Sequence, residues 1–146
     1  MTAPIVILSD YGMGAGTAAV KGVCKTFAPQ SHVFELSSDI PALNLDAAAN
    51  VLCAGMRAWP EGTVFLNLVD NGEKGRRQAV VATKDGYIVV SPDNKVLAAV
   101  EVAHGTAEKR DVSDLAACYG AEYEKTALCH GRDLAYVAAK AAAKEL

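Results

Sequence analysis

Apolar residues fall along this chain in two rhythms, short unbroken runs and longer stretches repeating every three or four positions. The run Ile5 to Leu8, between Pro4 and the glycine-rich stretch Ser9 to Gly16, fits a strand buried on both faces. From Thr17 to Phe27, the residues Val20, Val23, Cys24 and Phe27 recur at helical spacing, with Thr17 as the expected N-cap and Pro29 beyond the end. His32 to Leu36 reads as a second strand. Leu45 to Trp59 reads as a helix whose Leu45, Ala48, Ala49, Leu52, Met56 and Trp59 share one face before Pro60 stops it. Thr63 to Val69 is a third strand, and Ala79 to Thr83 with Tyr87 to Val90 form a hairpin across Lys84-Asp85-Gly86. After the turn Pro92-Asp93-Asn94 come a short helix, Val96 to Val102, and an alanine-rich helix from Asp133 to Glu145.

Strands alternating with helices at this spacing predict an α/β fold: a three-layer sandwich with a mostly parallel, Rossmann-like central sheet. In such sheets ligands bind at the carboxyl ends of the strands, which selects the loops after Leu8 and Val69. The 146 residues are expected to form one domain, 1–146.

Composition narrows the function classes. A net charge of -3 argues against binding a phosphate backbone, so no nucleic-acid partner is expected. Met1-Thr2-Ala3-Pro4 has no basic leader character, and no apolar run approaches the roughly 20 residues that span a bilayer, so a cytoplasmic chain without membrane contact is expected. Cys24, Cys53, Cys118 and Cys129 stand singly, as buried thiols would, and no metal site is predicted.

The first selected loop, Ser9 to Thr17, follows a strand and opens a helix, a place suited to an anion or nucleotide. Its glycines, Gly12, Gly14 and Gly16, depart from the dinucleotide spacing, and Asp10 suits ribose hydroxyls better than phosphate. An Asx-turn role for Asp10 stays open. In the second loop Asp70 lies a few residues before Arg76 and Arg77, where a compact ion pair could form; the run Lys74, Arg76, Arg77 also fits a solvated turn. His130, just before the predicted final helix, could face the same sheet edge or merely cap that helix.

Several short segments carry a resemblance when read together and in order. They are Leu8-Ser9-Asp10-Tyr11-Gly12, Lys21-Gly22-Val23, Leu36-Ser37-Ser38-Asp39-Ile40-Pro41, Ala47-Ala48-Ala49, Pro60-Glu61-Gly62-Thr63-Val64, Val69-Asp70, Arg76-Arg77, Pro92-Asp93-Asn94 and His130-Gly131-Arg132-Asp133. In this order the chain resembles the amino-terminal domain of the S-adenosylmethionine hydroxide adenosyltransferases, relatives of the fluorinase and chlorinase enzymes. The resemblance implies hydrolysis of S-adenosyl-L-methionine to adenosine and L-methionine, with water or hydroxide attacking C5′ and no cofactor beyond the substrate. It places the catalytic Asp, Arg and His on Asp70, the Arg76–Arg77 pair and His130, and substrate binding on Asp10, Tyr11, Thr17, Asn94 and Gly131. The loop is one residue shorter than the family pattern, so aligning the pair points to Arg76 while counting from Asp70 points to Arg77. Ala15 stands where the family has a second acid, and Asn71 where it has Pro.

The resemblance further implies a homo-oligomer, a trimer first, whose site is completed by a second, β-rich domain of a neighbouring subunit. This sequence reaches Leu146 without that domain, so another chain is expected to supply the missing walls. Two alternatives remain: a non-catalytic nucleoside-binding or scaffold subunit needing a partner chain, and a dinucleotide-binding domain with Glu35 as its ribose acid.

Overall fold

Alternation within single strands explains why so much of the centre is apolar on consecutive residues. In the first strand, β1 (Ile5–Leu8), Ile5 and Ile7 join one core cluster while Val6 and Leu8 join another on the opposite face. The computed structural model describes residues 2–120 and 127–146, without the side chains of 118–120 and 127–130. Helix α1 (Ala15–Phe27) leads to β2 (Val33–Ser37), and α2 (Leu45–Met56) to β3 (Val64–Asn67). The hairpin of β4 (Gln78–Thr83) and β5 (Ile88–Pro92) precedes α3 (Lys95–His104), β6 (Thr106–Asp111), α4 (Ser113–Gly120) and α5 (Ala127–Ala142).

Among the described residues the strands form one sheet ordered β2-β1-β3-β5-β4-β6. Strands β2, β1, β3 and β5 pair in parallel, and β4 is antiparallel to both β5 and β6. All strands but β4 therefore share one direction. Helices α1, α4 and α5 pack against the face of Ile5, Ile7, Val64 and Leu66, and α2 and α3 against that of Val6, Leu8, Phe65 and Val81. This is the predicted three-layer α/β arrangement. Because α1 and α2 leave on opposite faces, the switch in strand order falls between β1 and β3, where a ligand crevice opens.

Several boundaries differ from the periodic reading. The first helix begins two residues before Thr17, with Gly14 as its N-cap, and the Thr17 hydroxyl instead donates to the Gly12 carbonyl at 2.6 Å. Trp59 lies beyond α2, where its ring meets Phe34 and Phe65. Helix α5 starts before His130 rather than after it, so His130 sits in the helix; its side chain lies outside the described residues, as do those of Cys118 and Cys129. Strand β6 and helix α4 carry no apolar rhythm strong enough to announce them. β6 reads Thr-Ala-Glu-Lys-Arg-Asp and exists because β4 offers it a hydrogen-bonding edge. Cys24 is buried as expected, whereas Cys53 is half-buried. No helix among the described residues is long and apolar enough to cross a membrane.

A buried polar contact ties the hairpin turn to the helical layer. The His104 ring is held between the Asp85 carboxylate (Nδ1–Oδ2 2.6 Å) and the Cys53 carbonyl (Nε2–O 3.1 Å), with its side chain fully buried. Burial works to raise the Asp85 carboxyl, but hydrogen bonds from Thr83 and His104 and the imidazole's charge outweigh it and hold the group below its ordinary value. A depressed folded-state value means that stability is fully present above the unfolded carboxylate range and is lost as pH falls through the folded value. Unfolding titrations of wild type and Asp85→Asn should therefore converge below about pH 4, and His104→Ala should cost about 2 kcal/mol at neutral pH. A wild-type advantage that grows on acidification contradicts this coupling.

Candidate active site

The end of β3 is turned by a small buried polar network. Asn67 accepts from the Val69 amide at 3.0 Å and donates to Ser91 at 3.0 Å, while the Leu68 amide continues the β1 pairing by donating to the Leu8 carbonyl. These bonds satisfy backbone groups that would otherwise be buried unpaired as the chain leaves the sheet. They aim the following residue, Asp70, into the crevice.

Asn94 braces the same loop from a second element. Its Oδ1 caps α3 by accepting from the Val96 amide at 2.9 Å, and its Nδ2 donates to the Val69 carbonyl at 3.0 Å and to Asp70 Oδ1 at 3.2 Å. Arg76 completes the arrangement, with Nε 3.4 Å from Asp70 Oδ1, an ion-pair rather than a hydrogen-bond distance. Its Nη1 donates to the Asp93 carbonyl at 3.2 Å, and its Nη2 to Asn71 Oδ1 at 3.1 Å and Glu73 Oε2 at 2.9 Å. This largely buried guanidinium is thus fixed on three sides beside a carboxylate.

The adjacent arginine goes elsewhere. Arg77 points to the sheet edge and forms a two-point contact with Asp111, at 2.8 and 3.2 Å, where both groups are exposed. That contact holds the Asp111 carboxyl far below its usual range. The structure brings Arg76 to Asp70 and leaves Arg77 apart from it.

Across the crevice, the loop after β1 is pinned by the Gly12 amide, which donates to the Ser38 carbonyl at 2.7 Å. Gly12 has φ +70°, a conformation that costs a side-chain-bearing residue more. Asp10 is not engaged in an Asx turn; its Oδ2 accepts from the Leu43 amide at 2.8 Å, joining this loop to the segment before α2. Leu43 itself has φ +59° and an exposed side chain at the cavity rim. Burial foremost, and then the Asp10 charge, push the Tyr11 phenol up to about 12, so it stays neutral and able to donate.

These groups converge on a cavity of about 460 Å³, lined by Asp10, Tyr11, Leu43, Asp70, Arg76 and Gly131 and also by Glu73 and Lys74. That volume suits a small-molecule ligand. Thr17 and Asn94 do not line it: both are buried, and their side chains bond within the protein. Glu35, the alternative ribose acid, pairs with Lys21 on the edge strand. Glu73 is absent from the sequence candidates, and Lys74 enters there only as part of a basic run. The signal for both is the glycine pair Gly72 and Gly75 that brackets them. Among the described residues no group of three or more His, Cys, Asp or Glu could hold a metal ion.

Gly131 explains how α5 comes so close. A Cβ at this position would lie 2.6 Å from the Tyr11 hydroxyl and 2.9 Å from its ring, too near for either to remain. Gly131→Ala should therefore displace Tyr11 from the cavity and weaken ligand binding by about tenfold, equivalent to about 1.4 kcal/mol. Unchanged binding in calorimetry would show that the Tyr11 position does not matter.

Comparison with known proteins places these features in context. Residues 5–146 match the family model described as SAM hydroxide adenosyltransferase N-terminal domain. The (R)-S-adenosyl-L-methionine hydrolase of Thermus thermophilus is 37% identical over 92 residues, covering 62% of this chain and 36% of that protein. The protein of the same name from Methanocaldococcus jannaschii is 25% identical over 135 residues, covering 89% and 49% respectively. The crystal structure of an uncharacterized conserved protein from Thermotoga maritima superposes with TM-score 0.85 at 30% identity, covering 95% of this chain and 53% of that one. A conserved hypothetical protein from Thermus thermophilus gives TM-score 0.76 at 28% identity, covering 97% and 54%. The chain thus spans about half of these relatives' length, or less.

Proposed function

Because the chain belongs to the SAM hydroxide adenosyltransferase family through its N-terminal domain, we propose that it hydrolyses S-adenosyl-L-methionine to adenosine and L-methionine. The observation that carries this reading is the meeting of Asp10 and Tyr11 from one loop with the Asp70–Arg76 pair from another in a single ligand-sized cavity.

The chemistry asks little covalent work of the protein. An oxygen of water or hydroxide forms the bond to C5′ as the C5′–S bond breaks, the electron pair stays on sulfur, and the sulfonium leaves as a neutral thioether. The proton lost by water passes to Asp70 or His130 and then to solvent. Holding the oxygen in line with the leaving sulfur is the larger share of the barrier reduction. Arg76 favours the anionic form of the nucleophile electrostatically, and Asp10 receives the ribose hydroxyls.

Incubation with S-adenosyl-L-methionine, followed by chromatography for adenosine and methionine, tests the reading directly. Equimolar release of both products is expected. Intact substrate across pH and protein concentration would reject it. A second reading is nucleoside binding without turnover until another chain contributes to the site. Under that reading, ligand binding is measured at once and turnover appears only with the added partner. Assembly as a homotrimer belongs to the same proposal and is read from sedimentation.

A further inference from the structure

Three nitrogen atoms close on the same oxygen of Asp70. The Asn71 amide donates to Oδ1 at 2.9 Å, Asn94 Nδ2 donates to it at 3.2 Å, and Arg76 Nε stands 3.4 Å from it in the ion pair. Oδ2 has no hydrogen-bond partner among the described residues, and Asp70 lines the cavity. The last torsion of an aspartate is broad and nearly two-fold, so its oxygens exchange places unless contacts distinguish them. Asn71 and Arg76 belong to the loop that carries Asp70, whereas Asn94 anchors the carboxylate from outside it. Asn94 caps α3 and is 5% exposed, and its Oδ1 accepts from the Val96 amide at 2.9 Å, which fixes the direction in which Nδ2 donates. The preceding residue extends the hold, because the Asp93 carbonyl accepts from Arg76 Nη1 at 3.2 Å. One turn thus grips both members of the Asp70–Arg76 pair.

We infer that Asn94 is a positioning residue for the proposed hydrolysis: by holding Asp70 Oδ1 it reserves Oδ2 for a hydrogen bond from the attacking water, without touching the substrate itself. This assignment rests on the hydrolase reading and deepens it. Displacement at C5′ needs the attacking oxygen in line with the breaking C5′–S bond, on the side of the carbon away from sulfur. A carboxylate free to turn would carry that oxygen off the line, which lowers the rate of the chemical step while leaving the substrate's other contacts intact.

Asn94→Ser separates this role from the structural ones. Serine still caps a helix, and the Val69 carbonyl, which Asn94 also binds, keeps its bond from Asn67 Nδ2 at 3.3 Å. Steady-state adenosine release by the full chain should show kcat about tenfold lower and KM within about twofold of wild type. Introduced into Asp70→Ala, the same substitution should lower the residual kcat by less than about twofold, because a residue that acts through Asp70 has nothing left to position. A purely structural role would cost activity equally in both backgrounds. If Asn94→Ser does not fold, Asn94→Asp, which keeps the cap and the side-chain volume but loses the donor, goes through the same cycle. An unchanged kcat, a loss carried by KM, or an equal loss in both backgrounds would each overturn the assignment. Wild-type release of adenosine judges the hydrolase reading separately: without it the reading fails and the assignment falls with it, whereas release together with any of those three results removes the assignment alone.

Discussion

Replacing Asp70 with alanine is expected to lower adenosine release by roughly 10³-fold while costing about 1 kcal/mol of stability. The carboxylate is only partly buried and lies on a loop, so the fold does not depend on it, and its lost protein contacts are the 2.9 Å bond from the Asn71 amide, the 3.2 Å bond from Asn94 and the ion pair with Arg76. These contacts orient it toward the cavity. The neighbouring arginines sharpen the test. Arg76→Ala should reduce turnover by roughly 10²-fold or more, because it removes the guanidinium paired with Asp70. Arg77→Ala should leave turnover within about twofold, because its exposed partner Asp111 lies on the sheet edge. Steady-state kinetics and thermal melts on the three variants decide it, and the reverse ranking of the arginines would move the site.

The largest effect on stability is expected at Phe65. This ring is fully buried on the α2–α3 side of β3, with edge contacts to Trp59 (6.5 Å) and Tyr87 (5.6 Å). Truncation to alanine removes apolar burial and leaves a void that rigid sheet neighbours cannot close, costing about 3–5 kcal/mol. Phe34 makes the comparison: its ring meets Trp59 at a tilt but is 43% exposed on the edge strand, so Phe34→Ala should cost about 1 kcal/mol. Urea denaturation measures both. Similar losses at the two positions would mean that the Phe65 layer repacks freely.

Much of this arrangement is legible from local pattern. The unbroken runs Ile5 to Leu8 and Thr63 to Val69 fit strands buried on both sides, and their order with the intervening helices puts the functional loops at one end of the sheet. The Asp85-Gly86 turn announces the β4–β5 hairpin, where Gly86 takes φ +95°. Strand β6 is hidden because its exposed residues obey no burial rhythm, and its pairing partner lies more than twenty residues away. The helix containing His130 reads too short from sequence because Gly131 looks like a break; the close approach of Tyr11 gives that glycine a packing reason.

The site divides in the same way. Residue types and their order determined, without any coordinates, an α/β sandwich with two candidate loops and the acids Asp10 and Asp70 on them, because strand period and turn chemistry act over a few neighbouring residues. Only the tertiary structure set Arg76 beside Asp70 and paired Arg77 with Asp111. These adjacent residues just before β4 project in different directions, and their placement depends on Asp111 and Asp93, which are distant in sequence. It likewise turned Asn94 into a buried brace and brought Glu73 and Lys74 to the cavity. Those outcomes follow from contacts between segments, whose energies exist only once the sheet has brought the loops together.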